Sequence, residues 1–380
     1  MPANMKSNRV DLSSIAFISE QDATRLSKHL VKEGDIVYSR RGDVTQKALI
    51  RKTEVGYFCG TGCLLVRPGK MIDPEFLTYH LSTPSNQSWI VNQAVGATMP
   101  NLNTAILANV PLNVPSQGTQ KKIAAVLSTL DAKIDCNNRI NVELEAMAKT
   151  IYDYWFVQFD FPGANGRPYK SSGGRLVYNS KLKRGVPDGW TDSSILAVSE
   201  LLGGGTPTKK KPEYWGGDIP FFTPTDAGGP IFKFSTADHI TEKGLKGSST
   251  QLFGKHTVFI TARGSVGKLV LAGVDMAMNQ SCYALRAKPG ISHTFLFFLA
   301  KELIQHLQVK SSGSVFDSIV SNDIELTSLA IPTEDVIEKF AAVVEPVFEK
   351  IANNTKENLQ LAQLRDWLLP MLMNGQISVA

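Results

Sequence analysis

The chain has 380 residues, 43% apolar and 20% charged, with 40 Lys and Arg against 35 Asp and Glu. At roughly 100–200 residues per domain this implies two or three domains with their own cores, and excludes a collagen-like, low-complexity or disordered chain. The net charge of +5 is a weak pointer to an acidic partner. Its distribution says more: +3 over residues 1–116, +5 over 117–186, zero over 187–333 and −3 over 334–380. The longest apolar runs, such as residues 294–300, fall far short of the ~20 residues of a membrane span. Residues 1–14 lack the apolar stretch of a signal peptide. Cys59, Cys63, Cys136 and Cys282 are scattered without a disulfide framework, which points to a reducing, cytoplasmic setting.

In chain order, Ile36–Ser39 and Cys63–Val66 are short β-rich runs, the first closed by Gly42, and residues 74–81 form an amphipathic helix. From Gln117 to Phe156, Ile123, Leu127, Leu130, Ile134, Leu144, Met147, Ile151 and Tyr154 recur at helical spacing. Residues 158–189 are a connector rich in Gly and Pro, with Lys170, Arg175, Lys181, Lys183 and Arg184. Gly203, Gly204, Gly205, Thr206 and Pro207 then precede a run of three lysines and the pair Tyr214-Trp215. Val258–Thr261 and residues 282–285 are again β-rich, and residues 292–307 again helical. A second long stripe carries Phe340, Val344, Val347, Ile351, Leu361, Leu364, Leu368 and Leu372, with Pro346 expected to end a first turn or kink the helix. Stripes this long predict a coiled coil, and Asn137, Asn141, Asn354 and Asn358 interrupt them where a buried amide sets register.

The second half repeats the first. Lys122-Ile123-Ala124-Ala125-Val126 realigns with Lys339-Phe340-Ala341-Ala342-Val343 at an offset of 217. At an offset of 222, residues 35–44 realign with 257–266, which places Arg41-Gly42 on Arg263-Gly264. A period this long means two copies of one large unit, each a mixed α/β globular part followed by a long helix. At that offset the partner of Gly203 would precede residue 1, so the first copy is expected to lack its beginning.

Four stretches together resemble the specificity subunit of type I restriction–modification enzymes. They are Gly205-Thr206-Pro207 with Tyr214-Trp215 and Ile219-Pro220-Phe221; Arg263-Gly264-Ser265-Val266-Gly267 with Asn279-Gln280; Gln120-Lys121-Lys122-Ile123-Ala124; and Phe159-Asp160-Phe161-Pro162 through Val186-Pro187-Asp188-Gly189-Trp190. The resemblance covers essentially the whole chain. It implies an incomplete first target recognition domain (1–116), a spacer helix (117–157), a connector (158–189), a second recognition domain (190–333) and a second spacer helix (334–375). The two helices would pair antiparallel; about 35–38 residues at ~1.5 Å each make a rod of roughly 55 Å, or about 16 base pairs of B-DNA. The implied target is bipartite and not necessarily palindromic. Two methyltransferase subunits would dock on the helices and carry the S-adenosylmethionine, restriction subunits would complete the complex, and this chain would be non-catalytic.

Candidate DNA contacts follow from chemistry. Arg40, Arg41, Arg263, Ser265 and Lys268 leave the repeated strand, and Arg is the best bidentate reader of guanine. Gln46, Lys47 and Arg51 follow in the first copy. Thr206, Lys209, Lys210 and Lys211 suit phosphate contacts, with Tyr214 and Trp215 beside them. A looser match joins residues 96–99 with Ser312 and Ser314. Residues 264–268 imitate a phosphate-binding loop but have Ala262 and Leu269 where Gly and Ser or Thr are needed. Cys59 and Cys63 have no second pair at zinc spacing, the six histidines form no metal motif, and no methyltransferase, nuclease or helicase signature is present. The rival readings are a coiled-coil scaffold without sequence-specific DNA binding and an enzyme with an unrecognised site.

Overall fold

The computed structural model describes residues 1–96, 100–310 and 317–379. The chain forms two compact units: Met1–Asp135 with Asn358–Ala380, and Cys136–Glu357. Both long helices, Gln117–Tyr152 and Glu334–Met373, contribute to each.

In the first unit, β1 (Ile36–Ser39) lies between β2 (Lys47–Leu49) and β3 (Cys63–Val66) in an antiparallel sheet. Side chains alternate across it. Ile36, Tyr38 and Leu49 pack with Leu77, Ile90 and Leu102, while Val37, Ala48 and Cys63 pack with Val31, Ile50 and Cys59. The helix Pro74–His80 starts where Asp73 Oδ1 accepts from the amides of Glu75 and Phe76 at 3.0 and 2.9 Å. Its Phe76 and Tyr79 meet Ile123, Leu127, Leu369 and Leu372 of the long helices. Gln120 is fully buried and ties helix to globular part: its Oε1 accepts from Asp73 N at 2.8 Å, and its Nε2 donates to Met71 O and Pro115 O.

Besides two two-stranded pairs, Leu176–Asn179 with Arg184–Pro187 and Thr191–Ser193 with Leu329–Ile331, the second unit holds two larger sheets. In chain order the strands of these larger sheets are β4 (Ser199–Gly203), β5 (Trp215–Phe222), β6 (Phe232–Lys233), β7 (Asp238–Ile240), β8 (Val258–Thr261), β9 (Leu269–Ala272), β10 (Ala277–Met278) and β11 (Cys282–Ala287). The larger sheet runs β6-β9-β8-β11-β4 and the smaller β7-β5-β10. The helix His293–Lys310 packs on the larger sheet and joins it to the long helices through one aromatic core. Phe156 lies 5.0 Å from Phe340, and Phe161 stacks on both Tyr169 and Trp190. The connector is thus anchored by its rings. In this unit the long helices run antiparallel: Asn137 bonds Glu357, and Asn141 bonds Asn354.

The internal repeat survives to the level of hydrogen-bond register. Ile36 pairs with Leu49 and Val66, as Val258 does with Leu271 and Leu285. Gly34 N donates to Ile50 O, and its equivalent His256 N to Ala272 O. That position needs a left-handed backbone in both copies, with φ +84° at Gly34 and +71° at His256. Of the two outcomes expected at Pro346, the stop is corrected: the second long helix is continuous from Glu334 to Met373. The reason is burial: Phe340, Val344, Phe348 and Ile351 flank it in the core, and their packing outweighs the ~3 kcal/mol that an internal proline costs. Pro370 lies within the same helix.

Two expected outcomes test this packing. Gly34→Ala should lower the stability of the first unit by about 1 kcal/mol or more in denaturant titration, because the backbone is left-handed and the new Cβ would stand 3.1 Å from Pro74 Cγ. The His293 ring stacks on His256 at 4.0 Å beside Glu345, and burial, then His256 and Lys255, push its pKa down to about 3. Its folded pKa is below the unfolded value of about 6.5, so the stabilisation is complete above that pH and is lost as pH falls toward 3. Replacement by Gln should flatten that acid limb of the melting temperature.

Candidate nucleic-acid interface

Two loops leave the central strands at equivalent places and are held by equivalent main-chain bonds. In the first unit Arg40 N donates to Gly62 O at 3.0 Å, and Arg40 O accepts from Leu102 N at 2.9 Å. In the second, Ala262 N donates to Ser281 O at 2.9 Å, and Ala262 O accepts from Ile319 N at 2.9 Å. Arg41 then bridges Asn101, and Arg263 bridges Ser318. Gly42 and Gly264 follow with φ of +78° and +81°. The result is an exposed arginine at the same point of each loop.

Around Arg263 the loop is braced. Ser265 Oγ donates to Pro224 O at 3.1 Å, and Lys268 N donates to Thr261 Oγ1 at 2.9 Å. Lys268 itself is exposed and Ser265 half-buried. Arg263 N also donates to Ser281 O, next to Gln280, whose side chain accepts from Thr206 Oγ1. Thr206, Gln280 and Arg263 are therefore neighbours, although 74 residues separate the first two. In the sequence Gln280 stands out only as part of the Asn279-Gln280 motif. An exposed amide beside an arginine suits adenine or guanine edges, and only the strand pairing of β4 with β11 places it there.

Gly204 and Gly205 have a packing role. A Cβ on Gly204 would lie 2.3 Å from Asn279 O, and one on Gly205 2.1 Å from Ser249 Oγ. Lys209, Lys210 and Lys211 are exposed. Lys209 lies over the Trp215 ring at 5.8 Å, and Lys211 over the Tyr214 ring at 4.9 Å with its Nζ donating to Tyr214 Oη. Tyr214 is half-buried against the short helix Glu242–Lys246, close to Gly244 and Gly247.

The first loop differs in chemistry. Arg41 and Gln46 are exposed, and Arg40 is half-buried, its Nε having no hydrogen-bond partner among the described residues. Lys47 departs from its expected place as a DNA contact: it is buried, 3% exposed, with Nζ 5.7 Å from the Tyr38 ring centre. It points inward because β2 puts it opposite Tyr38, on the face where the second copy pairs Ile260 with Leu269. Burial pushes its pKa down to about 8, against the pull of Asp43. Arg51 faces Glu75 across 3.8 Å rather than standing free. Residues 97–99, Ser312 and Ser314 lie outside the described residues. Among the described residues no cluster of His, Cys, Asp and Glu could hold a metal, and no helix is long and apolar enough to cross a membrane.

A family model for the type I restriction modification DNA specificity domain matches residues 4–146 and 187–363. The chain belongs to the type I restriction modification DNA specificity domain family. It is similar to the specificity subunit of the type I restriction enzyme MjaIX of Methanocaldococcus jannaschii, 25% identical over 366 residues, covering 95% of this chain and 82% of that protein. It is similar also to the HindI specificity subunit of Haemophilus influenzae, 23% identical over 412 residues, covering 94% and 89%. A crystal structure of a type I S subunit from M. genitalium shares the fold, with a TM-score of 0.54 at 17% identity over 91% of this chain and 84% of that one.

The paired helices of this specificity domain chain bury polar groups between them in the second unit. Asn137 and Asn354 are buried at 1% and 2% exposure. Asn354 Nδ2 donates to Asn141 Oδ1 at 2.9 Å, and Asn141 Nδ2 donates to Thr355 Oγ1 at 3.3 Å. Asn358, the fourth expected register residue, begins the stretch of the second long helix that belongs to the first unit. Changing Asn141 alone to Leu should cost about 1–3 kcal/mol, because the Asn354 amide then loses its buried partner. Changing Asn141 and Asn354 together to Leu should recover most of that loss. Chemical denaturation of the two variants beside the unchanged chain checks the pattern.

Proposed function

We propose that this chain is the DNA sequence-recognition subunit of a type I restriction–modification system. It reads a bipartite target with one recognition domain per half-site (1–116 and 190–333), spaced by its helices (117–157 and 334–375) and joined by the connector (158–189). The single observation that carries this is the repeated loop: one backbone frame presents Arg41 in one unit and Arg263 in the other, and the surroundings have diverged. A symmetric frame with unlike side chains suits two unlike half-sites. In this reading Arg263, Gln280 and Thr206 face bases of one half-site, Arg41 and Gln46 those of the other, and Lys209, Lys210, Lys211 and Lys268 neutralise phosphates.

Two methyltransferase subunits dock on the helices and bring the S-adenosylmethionine, and restriction subunits complete the assembly. The MjaIX and HindI relatives are named as specificity subunits of type I restriction enzymes, which supports those partners. Base chemistry then belongs to the methyltransferase and cleavage to the restriction subunit, and this chain is non-catalytic. A cytoplasmic location accords with four free cysteines, Cys59, Cys63, Cys136 and Cys282.

The test uses the chain co-purified with its methyltransferase and a selected target duplex. Arg263→Ala should weaken binding by about 1–3 kcal/mol and relax preference at one half-site only, with Arg41→Ala doing the same at the other. Lys210→Ala should weaken binding to all sequences alike and reduce the salt slope by about one. Equal loss on every sequence for Arg263→Ala would make that arginine a phosphate contact and remove the base-reading role.

A further inference from the structure

The two loops differ at a pair of positions that change together. Asp43 follows Arg41-Gly42 in the first loop, and Lys47 lies four residues on, at the start of β2. At the same offset the second copy has Ser265 after Arg263-Gly264, and Leu269 at the start of β9. An acid and a cation in one copy are thus a hydroxyl and an apolar side chain in the other.

Packing accounts for the second copy's pair. Ser265 turns into its own loop, where its Oγ donates to Pro224 O, and Leu269 packs on the core. Packing does not account for the first copy's pair. Asp43 is exposed. Its Oδ1 accepts from Thr45 N at 3.0 Å and from Thr45 Oγ1 at 2.6 Å, which fixes the carboxylate. Its Oδ2 has no hydrogen-bond partner among the described residues. Lys47 is buried, and among the described residues its ammonium has no hydrogen bond or ion pair. Burial disfavours its charge, and the charge of Asp43 supports it. The strand frame does not require this lysine, because Leu269 holds the same register opposite Ile260.

A carboxylate on a loop that faces DNA is repelled by every phosphate, so by itself it weakens binding. It has one chemical use there. Aspartate accepts from the N4 amino group of cytosine in the major groove, as arginine donates to guanine. A fixed carboxylate with one free oxygen, two residues from an exposed arginine, suits that contact. Lys47 offsets the charge without occupying the free oxygen, and from a buried position where salt screens it little.

We propose that Asp43 determines specificity in the first half-site by accepting from a cytosine amino group beside the base that Arg41 reads, and that Lys47 is its positioning residue. Lys47 touches no DNA in this arrangement and acts only through Asp43. The assignment rests on the DNA-reading role proposed above and adds a base contact to it.

The test uses the complex with its methyltransferase, duplexes randomised over the first half-site and one unrelated duplex. Asp43→Ser should lose at least about tenfold of a cytosine preference at one position, and should bind the unrelated duplex more tightly at low salt. Asp43→Asn should move that preference toward adenine. Lys47→Leu should weaken binding to every duplex about three- to tenfold and keep the cytosine preference. Asp43→Ser with Lys47→Leu, which installs the second copy's pair, should recover that affinity without the preference, a coupling that independent sites do not show. The proposal is overturned if Asp43→Ser keeps the preference or weakens binding to all duplexes alike. It is overturned also if Lys47→Leu has the same effect with Ser at position 43 as with Asp. Melting profiles should show the Lys47→Leu chain at least as stable as the unchanged one, since a buried unpaired charge is removed; a lowered profile would make the lysine structural and overturn its part. If the unchanged complex prefers no sequence, DNA reading fails as a whole. If Arg41→Ala relaxes one position and Asp43→Ser none, only this assignment falls.

Discussion

The features shared by the two halves depend on one main-chain frame around a central buried strand. Arg40 and Ala262 each use both their N–H and C=O within that frame, on Gly62 and Leu102 in one case and Ser281 and Ile319 in the other. Because the frame consists of main-chain bonds and left-handed glycines, it places few demands on the side chains that project from it. Sequence can change at the tip without moving the tip. This is the property a reader of variable targets needs, since base contacts specify while the scaffold must hold position.

Polar groups buried between the long helices supply a second constraint. An apolar stripe alone permits sliding by one turn. Asn141 with Asn354, and Asn137 with Glu357, are satisfied in one alignment of the second unit and orphaned in a shifted one. In the first unit Asp131 plays the matching part, accepting from Tyr79 and Arg365 at 2.6 and 2.7 Å. Each unit therefore carries its own polar key, and each key involves residues of a long helix.

Divergence between the copies is concentrated where the frame is silent. The first copy buries Lys47 against Tyr38 where the second packs Leu269 against Ile260. It leaves β3 as an edge where the second adds β4, and trades Phe259 for Val37 beneath a cavity. None of these changes disturbs the strand register, which is common to both.

Much of this was legible in the residues alone. The offsets of 217 and 222 named the equivalent strands, Gly42 and Gly264 marked the turns, and the apolar spacing set the helices, because these signals are local and periodic. What stayed hidden depends on partners distant in the chain. Lys47 reads as a surface cation until its cross-strand neighbour is known, Gln280 reads as a motif residue until β4 brings Thr206 to it, and Pro346 reads as a stop or a kink until the core around it rules out the stop. Periodicity records which face of an element is apolar; it does not record what that face meets. That meeting, decided by long-range packing, is what sorted the exposed arginines from the buried lysine.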